Sequence, residues 1–189
     1  MQSKDELRQT AQRLRGGAHT MYGIKAAEQA KDVAMGLIGG MDKSTIIALY
    51  HPIGTEMDPR FLGRTLENVG FRTALPVVEG KDTPLQFRLW AEGDPLDKGP
   101  MGTVHPSSDA PAVDPDVLII PLLAFDTDCY RLGWGGGYYD RTLAERFSGI
   151  KAFGMAYAAQ FVEELPREKH DWPLHGVITE EGLVLPRKS

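Results

Sequence analysis

At 189 residues, with a net charge of −5, 42% hydrophobic and 25% charged side chains, the chain has the totals of a globular protein, and one domain over residues 1–189 is expected. The negative balance gives no whole-protein attraction to nucleic acid or to an anionic membrane, and no apolar run reaches transmembrane length, so neither partner is expected. One cysteine, Cys129, leaves no internal disulfide; with a charged rather than signal-like N-terminal segment this fits a cytoplasmic monomer.

Residues 4–15 predict a helix in which Leu7, Ala11 and Leu14 share a face and Lys4, Arg8, Arg13 and Arg15 supply charge. From spacing alone this is a solvated surface helix. Ala26, Ala30, Val33, Ala34, Leu37 and Ile38 then define a second helix ended by Gly39-Gly40. Gly40 to Thr45 resembles the end of a Walker A loop but lacks the glycine before Lys43. It also follows a helix and leads into a strand, the reverse of the order such a loop needs, so it reads as a turn. TIIALY, residues 45–50, is the first buried strand. Asp58 and Pro59 carry N-cap and first-turn signals for a helix with Phe61, Leu62, Leu66 and Val69. Glu56 therefore follows a strand's carboxyl end, where open α/β sheets place ligands, although an exposed loop carboxylate fits the spacing better. Tyr50 and His51 are weaker candidates for the same pocket wall. Residues 72–78 and 86–90 predict further strands; residues 93–115, rich in proline, glycine and aspartate, predict a long loop that is either a lid or a connector.

Residues 117–123 form another apolar strand, followed by Arg131-Leu132-Gly133-Trp134-Gly135-Gly136-Gly137-Tyr138-Tyr139-Asp140-Arg141 and then a helix in which Leu143 and Phe147 recur. Strand, glycine-rich turn and helix start are the context of a phosphate site. Four glycines in five positions clear side chains from the backbone and permit positive φ, and helix-start N–H groups favour an anion. Arg131 and Arg141 add positive charge, and Trp134, Tyr138 and Tyr139 offer flat surface for a ring. Asp140 beside a polyphosphate calls for a divalent cation between them. Taken singly, each feature has a plain reading as a turn, a core tyrosine or a helix-start carboxylate; the conjunction in eleven residues is harder to explain so. KAFGMAY, residues 151–157, is a further strand, and residues 177–180 and 183–185 predict a short strand pair. Apolar strands alternating with helices predict a single three-layer α/β domain with a mainly parallel sheet.

The eleven-residue stretch resembles the signature of the 5-formyltetrahydrofolate cyclo-ligases, R-L-G-x-G-x-G-Y/F-Y-D-R, and the resemblance extends over nearly the whole chain. It implies an enzyme that uses ATP and Mg²⁺ to close 5-formyltetrahydrofolate into 5,10-methenyltetrahydrofolate, and a fold similar to the NagB/RpiA/CoA-transferase group. The family opens with a K-x-x-L-R helix reaching the ATP phosphates, which Lys4 to Arg8 match; the following basic segment is interrupted, so no role passes to Arg13 or Arg15. The resemblance implies ATP binding by Lys4, Arg8, Arg131, Leu132, Gly133, Trp134, Gly135, Gly136, Gly137, Tyr138 and Tyr139. It implies folate binding by His51, Glu56, Trp134, Gly135, Gly136, Gly137 and Tyr138, with Glu56 in a similar P-I-x-x-E-x-D-P segment. Arg131, Tyr138 and Asp140 are the expected catalytic set. A Q-x-V…L-P-x-E-x-H-D segment brings Asp171 to Mg²⁺ beside Asp140. Cys129 stands where the family usually has glycine, and positive φ there would be strained. Competing readings are a non-catalytic folate- or nucleotide-binding regulator and a phosphosugar- or CoA-handling enzyme of similar fold. His170 and His175 are spaced wrongly for one zinc ion, and no serine nucleophile motif is present.

Overall fold

A computed structural model describes residues 4–146 and 149–187. In chain order the elements are α1 (Lys4–Ile38), β1 (Ile46–Ala48), α2 (Arg60–Asn68), β2 (Arg72–Val77), β3 (Gln86–Leu89), β4 (Leu96–Lys98), β5 (Val104–Pro106), β6 (Val117–Pro121), β7 (Ala124–Phe125), β8 (Arg131–Leu132), α3 (Tyr138–Arg146), β9 (Lys151–Met155), β10 (Gly176–Thr179) and β11 (Gly182–Val184). The expected helical position Phe147 lies outside the described residues.

The main sheet has the order β11-β10-β9-β6-β1-β2-β3. Its central strands are parallel, with Ile47 opposite Thr73 and Val117, Ile119 opposite Phe153, and Gly176 opposite Phe153. Only the edge pairs β2–β3 and β10–β11 are antiparallel. Because both faces are covered, the central strands β1 (IIA) and β6 (VLIIP) are apolar at every position rather than alternating. Ile47, Val117, Ile119, Phe153 and Ile178 point to α1 and α2, while Ile46, Leu118, Ile120, Ala152 and Val177 point to the layer holding Leu143 of α3. The expected three-layer, mainly parallel α/β architecture is therefore the one observed.

Topology places the ligand crevice. From β1 the chain crosses through α2 to β2, whereas from β6 it crosses through α3 to β9 on the opposite side. Strand order reverses between β1 and β6, and the loops leaving their carboxyl ends flank the gap where doubly wound sheets bind ligands. Glu56 lies on one of these loops and the glycine stretch follows the other.

Two expectations are corrected. The first helix, expected over residues 4–15, does not stop there; α1 runs on through Gly16-Gly17, and its break falls at Tyr22 (φ −152°, ψ 21°). Ala11, Arg15 and Ala18 on one side are buried, and this packing outweighs the roughly 1 kcal/mol that each helical glycine costs. Tyr22 instead turns to meet Tyr157 edge-on, with ring centroids 6.1 Å apart. Residues 93–115 are also more structured than a connector: β4 and β5 form a hairpin, and Arg88 ties the return segment down by donating to the carbonyls of Ser108 and Ala110 at 2.9 and 2.7 Å.

Candidate active site

Four segments far apart in sequence meet at the switch point: the start of α1, the loop after β1, the glycine stretch and residues 168–171. Lys4 Nζ reaches Glu168 at 3.1 Å and Asp171 at 3.2 Å. Arg8 donates through Nε to the Gly133 carbonyl at 3.1 Å and pairs with Asp5 at 2.6 Å. The N-terminal helix thereby lays Arg8 against the glycine stretch and Lys4 against the 168–171 segment.

The stretch begins as β-structure. Arg131 and Leu132 pair with Phe125 and Ala124, and Leu132 sends its side chain into a small cluster with Ala11, Leu123 and Leu165. Leu132 thus anchors the loop by packing. Beyond it Gly135 (φ +99°) and Gly137 (φ +66°) occupy left-handed backbone that suits glycine. A side chain at Gly135 would also meet the Arg8 guanidinium at 3.3 Å. From the far side Arg141 donates to the Gly136 carbonyl at 2.6 Å, with its guanidinium 5.0 Å from the Tyr138 ring centroid. The loop is held open between Arg8 and Arg141, with Gly135 and Gly136 exposed. At the start of α3 the chain supplies N–H groups that face an approaching anion.

Arg131 sits differently from a simple phosphate ligand. Its side chain is 5% exposed, and it donates to Asp140 Oδ1 at 2.7 Å and to the Trp172 carbonyl at 3.1 Å. It fixes Asp140 in the first turn of α3 and draws in the segment that carries Asp171. Asp171 is held in turn by Lys4 and by the Glu168 N–H at 2.7 Å. Glu168, His170 and Asp171 each place a ligand atom within 4.8 Å of the others, and Glu168 is a member the sequence reading did not single out. His170 pairs with Glu168, whereas His175 accepts the Ala152 N–H, so the two histidines serve different places.

Of the folate-side candidates, Trp134 meets Glu56, which is 5% exposed rather than the solvated carboxylate its loop position suggested. Its Oε2 accepts the Ile53 N–H at 2.9 Å and its Oε1 accepts the Trp134 indole N–H at 3.3 Å. Arg15 Nη1 stands 3.6 Å from the same Oε1. Burial raises the Glu56 carboxyl above the ordinary range, and these three donors oppose the shift. Arg15, to which the sequence gave no role, is 3% exposed, bonds Thr55 Oγ1 at 3.1 Å and lies 5.2 Å from the Trp134 ring centroid. Tyr50 is buried and donates to the Met57 carbonyl at 2.5 Å, bracing the Glu56 loop. His51 is half-buried near Arg60 and Asp58; burial, helped by Arg60, lowers its pKa. Tyr138 and Tyr139 are partly buried beside the second core layer, and burial pushes the Tyr139 phenol upward.

Cys129 has φ +60°, the left-handed backbone anticipated for its position, and is fully buried with its Sγ 3.6 Å from the Val184 carbonyl. Burial, with Asp126 and Asp128 nearby, raises its thiol to about 11, so it is no nucleophile at neutral pH.

Residues 1–180 match the 5-formyltetrahydrofolate cyclo-ligase family. The 5-formyltetrahydrofolate cyclo-ligase of Haemophilus influenzae is 30% identical over 183 residues, 94% of this chain and 97% of that protein. The one from Escherichia coli K12 is 36% identical over 139 residues, 70% and 76% of the two chains. Among solved structures, the 5,10-methenyltetrahydrofolate synthetase of Aquifex aeolicus aligns with a TM-score of 0.78 at 29% identity, covering 98% of this chain and 94% of that one. The Mycoplasma pneumoniae synthetase gives 0.76 at 24% identity, covering 95% and 99%, which speaks to the fold.

Proposed function

Because the chain belongs to the 5-formyltetrahydrofolate cyclo-ligase family, we propose that it closes 5-formyltetrahydrofolate to 5,10-methenyltetrahydrofolate at this site, consuming ATP. The observation that carries the reading is the convergence of Arg8 on the glycine stretch and of Lys4 on Asp171, with the buried Glu56 held by Trp134 of the same stretch. An anion cradle and a recessed carboxylate suited to ring N–H donors stand side by side.

The N5-formyl group is an amide, so its carbon is a weak electrophile and its oxygen a poor leaving group. Transfer of the γ-phosphoryl of ATP to that oxygen corrects both, after which N10 of the same folate attacks and phosphate departs. The attack is intramolecular and gains from high effective concentration. In this assignment the protein supplies position and charge rather than a nucleophile. The amides of Gly133 to Gly137, with Lys4 and Arg8, hold the phosphates; Arg131 keeps Asp140 in place and supplies its remaining donors. Glu56 orients the pterin through its amino and ring N–H groups, and Trp134 and Tyr138 pack against the folate. Asp140 and Asp171 are hard oxygen donors of the type Mg²⁺ prefers, and each is held in place by a cation, Arg131 or Lys4. A Mg²⁺ ion held there would supply charge neutralisation for the phosphates.

Mixing the protein with 5-formyltetrahydrofolate, ATP and Mg²⁺ tests the proposal, because the methenyl product absorbs in the near ultraviolet and the substrate does not. Absorbance should rise with turnover and require both ATP and Mg²⁺. Tight binding of folate with no absorbance gain would instead favour a non-catalytic binder.

A further inference from the structure

The Arg15 guanidinium is not accounted for by the reaction as assigned. It is nearly fully buried, yet Nη1 has no hydrogen-bond partner among the described residues. Its distance of 3.6 Å from Glu56 Oε1 is an ion-pair separation, beyond ordinary hydrogen-bond length. Trp134 contacts that oxygen at 3.3 Å and has its ring beside the guanidinium. A buried charged donor left without an acceptor is costly, and folds retain such groups where something else supplies the acceptor.

The neighbouring groups say what that acceptor would be. Glu56 presents two acceptor oxygens, and Arg15 adds a donor on the Oε1 side. The edge of a 2-amino-4-oxo pterin carries the complementary set in the same order: the amino group and ring N3–H donate, and the 4-oxo oxygen accepts. Trp134 covers the pair from outside; it is 56% exposed and flanked by Gly133 and Gly135. Were its indole to swing away, Oε1 and Nη1 would be freed together.

We propose that Arg15 is a specificity-determining residue of the folate site, donating from Nη1 to the pterin 4-oxo oxygen while Glu56 takes the adjacent donors. The proposal rests on the folate reading above and adds to it a residue and a chemical requirement on the ligand. Arg15 remains charged: burial lowers its pKa from a very high starting value and the Glu56 carboxylate opposes the shift. A pterin with a 4-amino group in place of the 4-oxo group turns a donor toward a donor, so the site should reject it.

The test is calorimetric binding of 5-formyltetrahydrofolate and its 4-amino counterpart to wild type, Arg15→Lys and Arg15→Met. Lysine keeps the charge beside Glu56 but lacks the rigid guanidinium fork that lets Nε hold Thr55 while a separate nitrogen, Nη1, is aimed at the ligand; it carries the comparison if the methionine variant does not fold. Wild type should prefer the 4-oxo ligand by at least about 30-fold, and each variant should narrow that ratio by about tenfold or more. A merely structural Arg15 would weaken both ligands alike and leave the ratio unchanged, which overturns the assignment. Wild type that binds neither ligand overturns the folate reading itself, and the Arg15 assignment with it.

Discussion

Gly133→Ala separates the anion cradle from the stability of the loop that forms it. A Cβ built at Gly133 meets no atom within 4 Å, and the backbone there lies outside the left-handed region. Alanine therefore brings neither clash nor strain, and by restricting the unfolded chain it should stabilise by about 0.4–1 kcal/mol. For a domain of this size that raises Tm by about 1–4 °C. If the Gly133 backbone faces phosphate oxygens, however, the added methyl stands between them. Loss of one charge-assisted hydrogen bond, about 1.5–3 kcal/mol, corresponds to roughly 10–150-fold in KM for ATP. KM for folate should change far less. Gly135→Ala is the contrast: at φ +99° with Arg8 3.3 Å away, it should lose about 1–2 kcal/mol of stability as well as ATP use. Thermal melting and near-ultraviolet kinetics at varied ATP give both numbers. A Gly133→Ala protein with wild-type KM for ATP would refute the cradle.

Asp140→Asn keeps an acceptor for the buried Arg131, so Tm should stay close to wild type, while turnover falls at least about 100-fold and half-saturation by Mg²⁺ moves upward; an unchanged Mg²⁺ dependence removes the metal assignment. Glu56 must be ionised to accept two pterin donors and its pKa is raised, so KM for folate should increase as pH falls through a value above the usual glutamate range of about 4.3, and Glu56→Gln should abolish that limb. For stability, a raised folded-state pKa means the contribution is full below the unfolded pKa and is lost as pH rises through the folded one. Glu56→Gln should accordingly destabilise less at pH 8 than at pH 5, and equal effects would contradict the shift. Cys129→Gly relieves the positive φ whereas Cys129→Ala keeps it, so the glycine variant should be the more stable of the two by about 1 kcal/mol in denaturant titration; the reverse order would mean the backbone there is not strained.

The sheet could be read from sequence because strands buried on both faces are continuous apolar runs, as in residues 45–50, 117–121 and 151–157. The glycine stretch was legible for a similar reason: backbone that must approach a ligand and take positive φ restricts which residues can stand there. What escaped was set by contacts across the fold. The kink of α1 falls at Tyr22 because Tyr157 and His19 meet there, not at the glycines where local propensity would put it. The β4–β5 hairpin is short and polar, with no hydrophobic period to betray it. An arginine beside a glycine loop reads as a phosphate ligand, yet Arg131 is engaged with Asp140 and Trp172. Arg15 reads as one more charge on a solvated face, and only the folded chain puts Glu56 and Trp134 against it. The signal in the sequence was the interruption after it, and that pointed away from a role.

A structure of the protein with a non-hydrolysable ATP analogue and Mg²⁺ bears most directly on the site. The triphosphate should lie within hydrogen-bond distance of the amides of residues 133–137 and of Lys4 and Arg8, with the metal on Asp140 and Asp171. A triphosphate bound away from the glycine stretch, with Arg8 still on the Gly133 carbonyl, would contradict it.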